Sequence, residues 1–206
     1  MKELDIINRW HNAIFVEEKQ PVLQAMLRKK YIEGPADMGG LIIGLEGQLD
    51  EFSMADFQDA FVINTDLRQS RFSCAFSRCT FTSTCFADAT FDTCRFPKAK
   101  FLHCDFTKAK LGSPWLDDAI FRSCTFKEAK LNGRGSREYG GKRCLFEECQ
   151  FENSDFRNLQ FRASQFLNCR FENVVFTKCT LIGVKFVGSA PSETSFVNCD
   201  LRITKE

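Results

Sequence analysis

Cysteine is the residue in this chain whose spacing first suggests chemistry. The stretch from Cys74 to Phe96 reads CAFSRCTFTSTCFADATFDTCRF and holds four of the chain's 11 cysteines. A C-x4-C pair at Cys74 and Cys79 could be half of a metal site, part of a disulfide framework or the setting for a nucleophile. Zinc needs ligands that converge in tetrahedral geometry, and the only histidines are His11 and His103. A Cys–His nucleophile would need one of those two to meet a thiol by an accident of folding. The segment GSREYGGK (135–142) is faintly like a phosphate loop, but it lacks G-x4-G-K-[ST] and the strand-to-helix setting that motif requires. Carboxylates are spread over the chain without an evident pair. No cofactor and no metal are called for, and no catalytic residue can be nominated.

The elements that position these residues follow from a rhythm. The chain has 206 residues, 28 Lys+Arg against 27 Asp+Glu, and 23 Phe. Marking every fifth residue from Phe76 to Leu201 gives 26 positions, of which 18 are Phe and five are Leu (111, 116, 131, 181 and 201); Ser136, Gly141 and Pro191 are the exceptions. A period of five is neither helical, with spacings of three and four, nor that of a flat strand, with a spacing of two. Ten of the 11 cysteines sit two residues before a marked position, and Cys85 alone is out of step. Where that slot lacks Cys it holds mostly Ala, Ser or Thr. Each unit is small-x-large-x-x, which describes a chain that turns after every unit. Four units close a square coil of about 20 residues, and successive coils pair through their backbones at about 4.8 Å. The thiols then read as small inward residues, reduced and packed in ladders, with Cys85 the one candidate for exposure. The core is assigned to the Phe column, including Phe81, Phe91, Phe101, Phe151, Phe161 and Phe171.

The tracts ADFQD (55–59), TDLRQ (65–69), ADATFDTCRF (87–96), CDFTK (104–108) and CDLRI (199–203) carry a resemblance to the pentapeptide-repeat family, over about three quarters of the chain. The resemblance implies an all-β solenoid, a right-handed quadrilateral β-helix. It also implies bacterial relatives that act by surface recognition, including a group that protects DNA gyrase or topoisomerase IV from quinolones or toxins. This chain departs from that group: the rod is not acidic, and the repeats run to Leu201 with no C-terminal helix after them.

Residues 1–50 are expected to form a short α-helical N-terminal cap and connector, and 51–206 the repeat rod. Leu4, Ile7, Trp10 and Ile14 keep one helical face, and a second helix is expected to start with Pro21 in its first turn, pass Met26 and Leu27, and end at Arg28–Lys30 before Gly34 and Pro35. GGLIIGLEGQL (39–49) reads as a first irregular coil. The step from Phe72 to Phe76 is four residues, which predicts a kink. The largest break, NGRGSREYGGKR (132–143), is read as a projecting loop and a candidate partner site, with Arg134, Arg137, Tyr139, Lys142 and Arg143 exposed. Smaller breaks are LGSPWLDD (111–118) and VGSAPSETSF (187–196).

Charge is uneven. Residues 67–143 hold 15 Lys+Arg against 7 Asp+Glu, and 144–206 hold 7 against 8. Arg95, Lys98, Lys100, Lys110 and Lys130 are assigned to a candidate basic face, with Lys110 above Lys130 in one column and Lys108 placed to pair with Glu128. The expected function is a non-enzymatic protein-interaction scaffold. The alternatives are a topoisomerase-binding resistance protein and a binder of an acidic partner through the basic middle. Direct nucleic-acid binding is disfavoured by the net charge of +1. No run approaches a membrane span and no signal peptide is legible, so a cytoplasmic setting with reduced thiols is expected.

Overall fold

Because each unit buries one large residue and then turns, four units return the chain to the face it left. The computed structural model describes residues 6, 8–27, 31–32, 35–43, 57–134 and 139–206. It is a right-handed quadrilateral β-helix of about 7 turns with a short helix at its N-terminus. All ladders are parallel. Face 1 stacks Val62, Phe81, Phe101, Phe121, Phe146, Phe166 and Phe186. Face 2 stacks Leu67, Phe86, Phe106, Phe126, Phe151 and Phe171. Face 3 stacks Ile43, Phe72, Phe91, Leu111, Leu131, Phe156, Phe176 and Phe196. Face 4 stacks Phe57, Phe76, Phe96, Leu116, Gly141, Phe161, Leu181 and Leu201.

The columns are buried except toward the C-terminal end, where Phe196 is half-buried and Leu201 exposed. Phe81, Phe91, Phe101, Phe151 and Phe161 are buried, and Phe171 is half-buried. On face 1 the rings of Phe101, Phe121, Phe146 and Phe166 stack with centroids 4.8 Å apart at each step, so ring spacing follows strand spacing. Each such pair adds about 0.5–1.5 kcal/mol beyond the area it buries.

The corners are of two kinds. In the first, a large residue accepts a hydrogen bond from the N–H three residues on, as Phe106 does from Ala109 at 3.0 Å and Phe96 from Ala99 at 3.1 Å. In the second, the corner lacks that bond, and where the slot holds Cys, Ser or Thr its side chain mostly donates to the coil below. Cys104 Sγ donates to the Phe81 carbonyl at 3.5 Å, Cys124 to Phe101 at 3.3 Å, and Cys149 to Phe121 at 3.4 Å. From residue 84 to 129 the slots alternate strictly: Thr84, Cys94, Cys104, Pro114 and Cys124 follow open corners, while Ala89, Ala99, Ala109, Ala119 and Ala129 close hydrogen-bonded ones. From Cys144 to Ser189 every described corner is open, and no slot is Ala. Cys and Ala therefore divide by corner type over 84–129, whereas upstream Cys79 and Ser70 close hydrogen-bonded corners, at 3.4 and 3.3 Å.

At most corners the residue two after the large one is left-handed. Among the described residues 23 non-glycine residues have positive φ, including Thr93 (φ 54) and His103 (φ 54). The four-residue step at Phe72 removes this residue: no positive φ lies between Gln69 and Arg78. The lost residue is a corner residue, so the rings of Phe57 and Phe76 still stack at 5.2 Å and the expected kink leaves the column intact.

The N-terminal segment differs from expectation. A 3-10 turn, Arg9–His11, leads into one helix, α1 (Ala13–Leu27), which runs through Pro21. The reason is Asn12, whose Oδ1 accepts the N–H groups of Ile14 (3.0 Å) and Phe15 (3.2 Å) and so starts the helix eight residues before the proline. Ile14 is exposed rather than inward, whereas Trp10 and Leu23 are buried. Leu4, Ile7 and Arg28–Lys30 lie outside the described residues, as do the side chains of Met26 and Leu27. Strand pairing begins at Tyr31–Ile32, on Phe61–Val62, and Ala36–Asp37 and Ile42–Ile43 complete an irregular first coil. Trp10 Nε1 donates to the Gly39 carbonyl at 2.9 Å, and Arg9 bonds Asp37 at 2.7 and 2.5 Å, which fastens the cap to that coil.

Candidate interaction surface

The register across 132–143 shows what the largest break is. Gly112 pairs with Asn132, and Trp115 pairs with Gly140. Pro114 lies two positions after Gly112, whereas Tyr139 lies seven after Asn132, so five extra residues fall between Asn132 and Tyr139. The second half of the expected loop is coil wall instead: Tyr139–Lys142 is a strand on Leu159–Arg162. Tyr139 is half-buried against the core, and Gly141 takes a large-residue position on face 4. A side chain does not fit there, because a Cβ on Gly141 would meet Cys144 Sγ and lie 2.8 Å from the Leu116 backbone. Gly140 has φ 116, and a Cβ would collide with the Gln160 carbonyl. This is why a Gly-Gly pair can build a coil face that its composition argues against.

The same register brings two breaks together. LGSPW lies on the coil adjacent to residues 132–134 and 139–143, at the corner between faces 3 and 4. Ser113 N–H donates to the Asn132 carbonyl at 2.7 Å, Ser113 Oγ accepts from the Arg134 N–H at 3.1 Å, and the Pro114 carbonyl accepts from the Gly140 N–H at 2.9 Å. Trp115 projects here, 48% exposed, with side-chain-free Gly140 above it and Arg95 below. The sequence places both Trp115 and Gly112 in the break LGSPWLDD, with Trp115 directly before the large position, but assigns neither to a site. The available signal was an aromatic in an outward position directly before a large inward residue.

Of the predicted loop residues, Arg134 is exposed and reaches to within 3.4 Å of Asp92. Its path crosses Gly112, where a Cβ would sit 3.0 Å from Asp92 Oδ1 and 3.8 Å from Arg134 Nη2. Lys142 is exposed and donates its N–H to Asp117 at 2.9 Å. Arg143 makes two bonds to Asp118 (2.6 and 2.8 Å), and its guanidinium holds the Asp118 carboxyl below the usual carboxylate range. Arg137 lies outside the described residues.

The candidate basic face is divided by the coil. Arg95 stands on face 4, Lys98 at the next corner, Lys100 on face 1, and Lys110 and Lys130 on face 3. Successive units point in successive directions, so neighbours in sequence become residues of different faces. Lys110 and Lys130 do stack in register, and Lys108 lies 4.0 Å from Glu128. Among the described residues Arg95, Lys98, Lys100, Lys110 and Lys130 have no ion-pair partner, whereas Arg122, Lys127 and Arg143 pair with Glu147, Glu152 and Asp118.

No disulfide joins the thiols among the described residues. Cys74, Cys85 and Cys199 are half-buried and the other eight are buried, so Cys85 is not alone in its exposure. Burial pushes Cys144 and Cys179 up to about 12 and raises Cys85. Along one ladder, Cys104 and Cys149 are raised by burial, while donors from neighbouring thiols lower Cys124 and Cys169. No group of three His, Cys, Asp or Glu among the described residues is placed to hold a metal, and no helix among them is long and apolar enough to cross a membrane.

Comparison with known proteins gives two family matches that flank the loop corner: pentapeptide repeats (8 copies) over residues 74–112, and a pentapeptide repeat region over residues 142–205. Among solved structures, HetL, a pentapeptide repeat protein involved in heterocyst differentiation regulation from the cyanobacterium Nostoc sp. strain PCC 7120, is 14% identical. The match covers 89% of this chain and 92% of that one, with a TM-score of 0.49. Trypsin-treated QnrB1, a plasmid-mediated fluoroquinolone resistance protein, is 16% identical over 71% of this chain and 89% of that one, with a TM-score of 0.34. No curated protein sequence matches.

Proposed function

This chain belongs to the pentapeptide-repeat family, and from that premise we propose that it is a non-enzymatic interaction scaffold, a rigid rod that presents one corner to a protein partner. The observation that carries this reading is the meeting of Gly112–Trp115 with Asn132–Arg134 and Tyr139–Gly140 at the corner of faces 3 and 4. An aromatic that is 48% exposed and held on a ladder between Arg95 and Gly140, with unpaired Lys110 and Lys130 on the adjoining face, has the composition of a recognition hot spot. Catalysis finds less support, because the buried thiols and hydroxyls of the slots are engaged by backbone carbonyls. The topoisomerase alternative draws no support from this corner, which carries an excess of cations where a DNA-like surface needs acids.

The test is site-specific photo-crosslinking in the native host, with the crosslinker at position 115 and, as a control, at position 175 on face 3 near the far end. A discrete adduct from position 115 alone is the expected result. Equal adducts from both positions, or none from 115, would remove the corner as the recognition surface.

A further inference from the structure

We infer that the loop-bearing corner binds a short acidic segment of its protein partner, with carboxylates on Lys110, Lys130 and Arg134 and an apolar side chain against Trp115. This rests on the reading of the corner as the recognition surface and adds the chemistry of what it recognises.

Three observations lead there. Arg71, Lys110, Lys130 and Arg134 line a shallow depression of about 430 Å³ on face 3, floored at Gly112, with Asp92 as its single acidic group. Lys110 and Lys130 are neighbours on one ladder, about 4.8 Å apart along the rod, and neither has an ion-pair partner among the described residues. The next residue in that row, Asp155, is bonded to Arg157 at 2.5 Å and does not turn to them. Two stacked ammonium groups left without a counter-charge repel each other, and a carboxylate between them relieves that repulsion. Around the corner, Trp115 supplies a large flat apolar surface, 48% exposed, on a backbone held by its ladder, and an aromatic with two rotatable bonds loses little freedom on contact.

The dimensions favour a peptide over a nucleic acid. From Arg71 to Lys130 is three rungs, about 14 Å, which an extended segment of four to six residues spans at about 3.3 Å each. Duplex DNA carries one charge per about 1.7 Å and needs a longer cationic track. Here Asp155 ends the patch along the rod, and Asp117 and Asp118 bound it on face 4.

The binding is read from Trp115 emission, since the other tryptophan, Trp10, is buried. The probes are a 12-residue Asp/Glu peptide with one central Phe, its Lys/Arg counterpart, a single-stranded DNA 12-mer and inorganic phosphate. The acidic peptide is expected to give a saturable, salt-sensitive change, weakened about tenfold or more by Lys110→Glu/Lys130→Glu. Lys98→Glu/Lys100→Glu makes the same charge change on another side of the rod and should leave binding within about twofold. The inference is overturned by no saturable acidic-peptide binding, by equal loss in both double variants, or by tighter binding of the DNA or of phosphate alone. If the peptide fails while the position-115 adduct persists, the scaffold reading stands and only the acidic chemistry falls.

Discussion

The backbone N–H of Ala109 bonds to the carbonyl of Phe106 at 3.0 Å and closes its corner, so the slot at 109 needs no side-chain donor. One unit earlier the corner is open, and the Cys104 thiol donates to Phe81 on the coil below. From residue 84 to 129 the small residue thus follows the geometry of the corner before it, with Ala at every closed corner and at no open one.

Ser164 tests that relationship. Its Oγ accepts from the buried Cys144 N–H at 3.1 Å and donates to the Gly141 carbonyl at 3.4 Å. Ser164→Ala strands a buried N–H and should cost about 1–3 kcal/mol in urea unfolding. Ser164→Cys keeps a weak partner and should cost less. Equal losses in the two variants would show that volume, not donation, matters in the slot.

Phe121 stacks between Phe101 and Phe146, with both centroids at 4.8 Å. Phe121→Ala should destabilise by about 3–5 kcal/mol, because the gap sits mid-column and cannot collapse between rungs held by backbone bonds. Phe121→Leu should be tolerated at well under half that cost, as Leu111, Leu116, Leu131 and Leu181 occupy equivalent buried positions. Thermal melts of the two variants should differ clearly.

Thr93 holds φ 54, a conformation that branching at Cβ disfavours and Asn accepts more readily. Asn already occupies the equivalent corner at 153, 158, 168 and 173. Thr93→Asn should therefore raise stability by about 0.5–1 kcal/mol, measured by chemical unfolding. A loss would mean that the Thr93 Oγ1 bond to the Asp92 carbonyl, at 2.7 Å, outweighs the strain.

Acid should loosen the cap before the rod. The Arg9 guanidinium bond holds Asp37 below its ordinary value of 3.8. A carboxyl depressed in the folded state stabilises fully above its unfolded value, and that stability disappears as pH falls through the lower folded one. Trp10, which bonds Gly39 beside Asp37, should shift its emission to the red in that window while far-UV dichroism of the rod holds. Arg9→Leu should produce the shift at neutral pH. Emission that moves only together with rod unfolding would show that Asp37 does not control the cap.

The rod was legible in the sequence because its signal is redundant: many marked positions had to agree, and one slip would have put a Phe outside. The faces were not, because a five-residue period fixes which residues point inward but not how residues far apart in sequence meet at a corner. Lys110 and Lys130 could be stacked by counting, whereas Trp115 met Gly140 only once the five extra residues were placed between Asn132 and Tyr139. Tyr139 and Gly141 misled for a physical reason. Glycine suggests a loop by composition, yet here it fills the wall where Leu116 and Cys144 leave no room for a Cβ. Pro21 misled in the same way, since the Asn12 cap decided where the helix began.

Phe121 and Phe146 are 25 residues apart in sequence and Phe101 and Phe121 are 20, yet both pairs stack at 4.8 Å. Length at this corner is therefore uncoupled from register. A graft replacing the residues between Arg134 and Tyr139 could be exchanged for a longer epitope, each doubling costing only about 0.6 kcal/mol in closure entropy. The protein is in this respect a display frame, with one address along its axis where foreign sequence can be mounted without rewriting the columns.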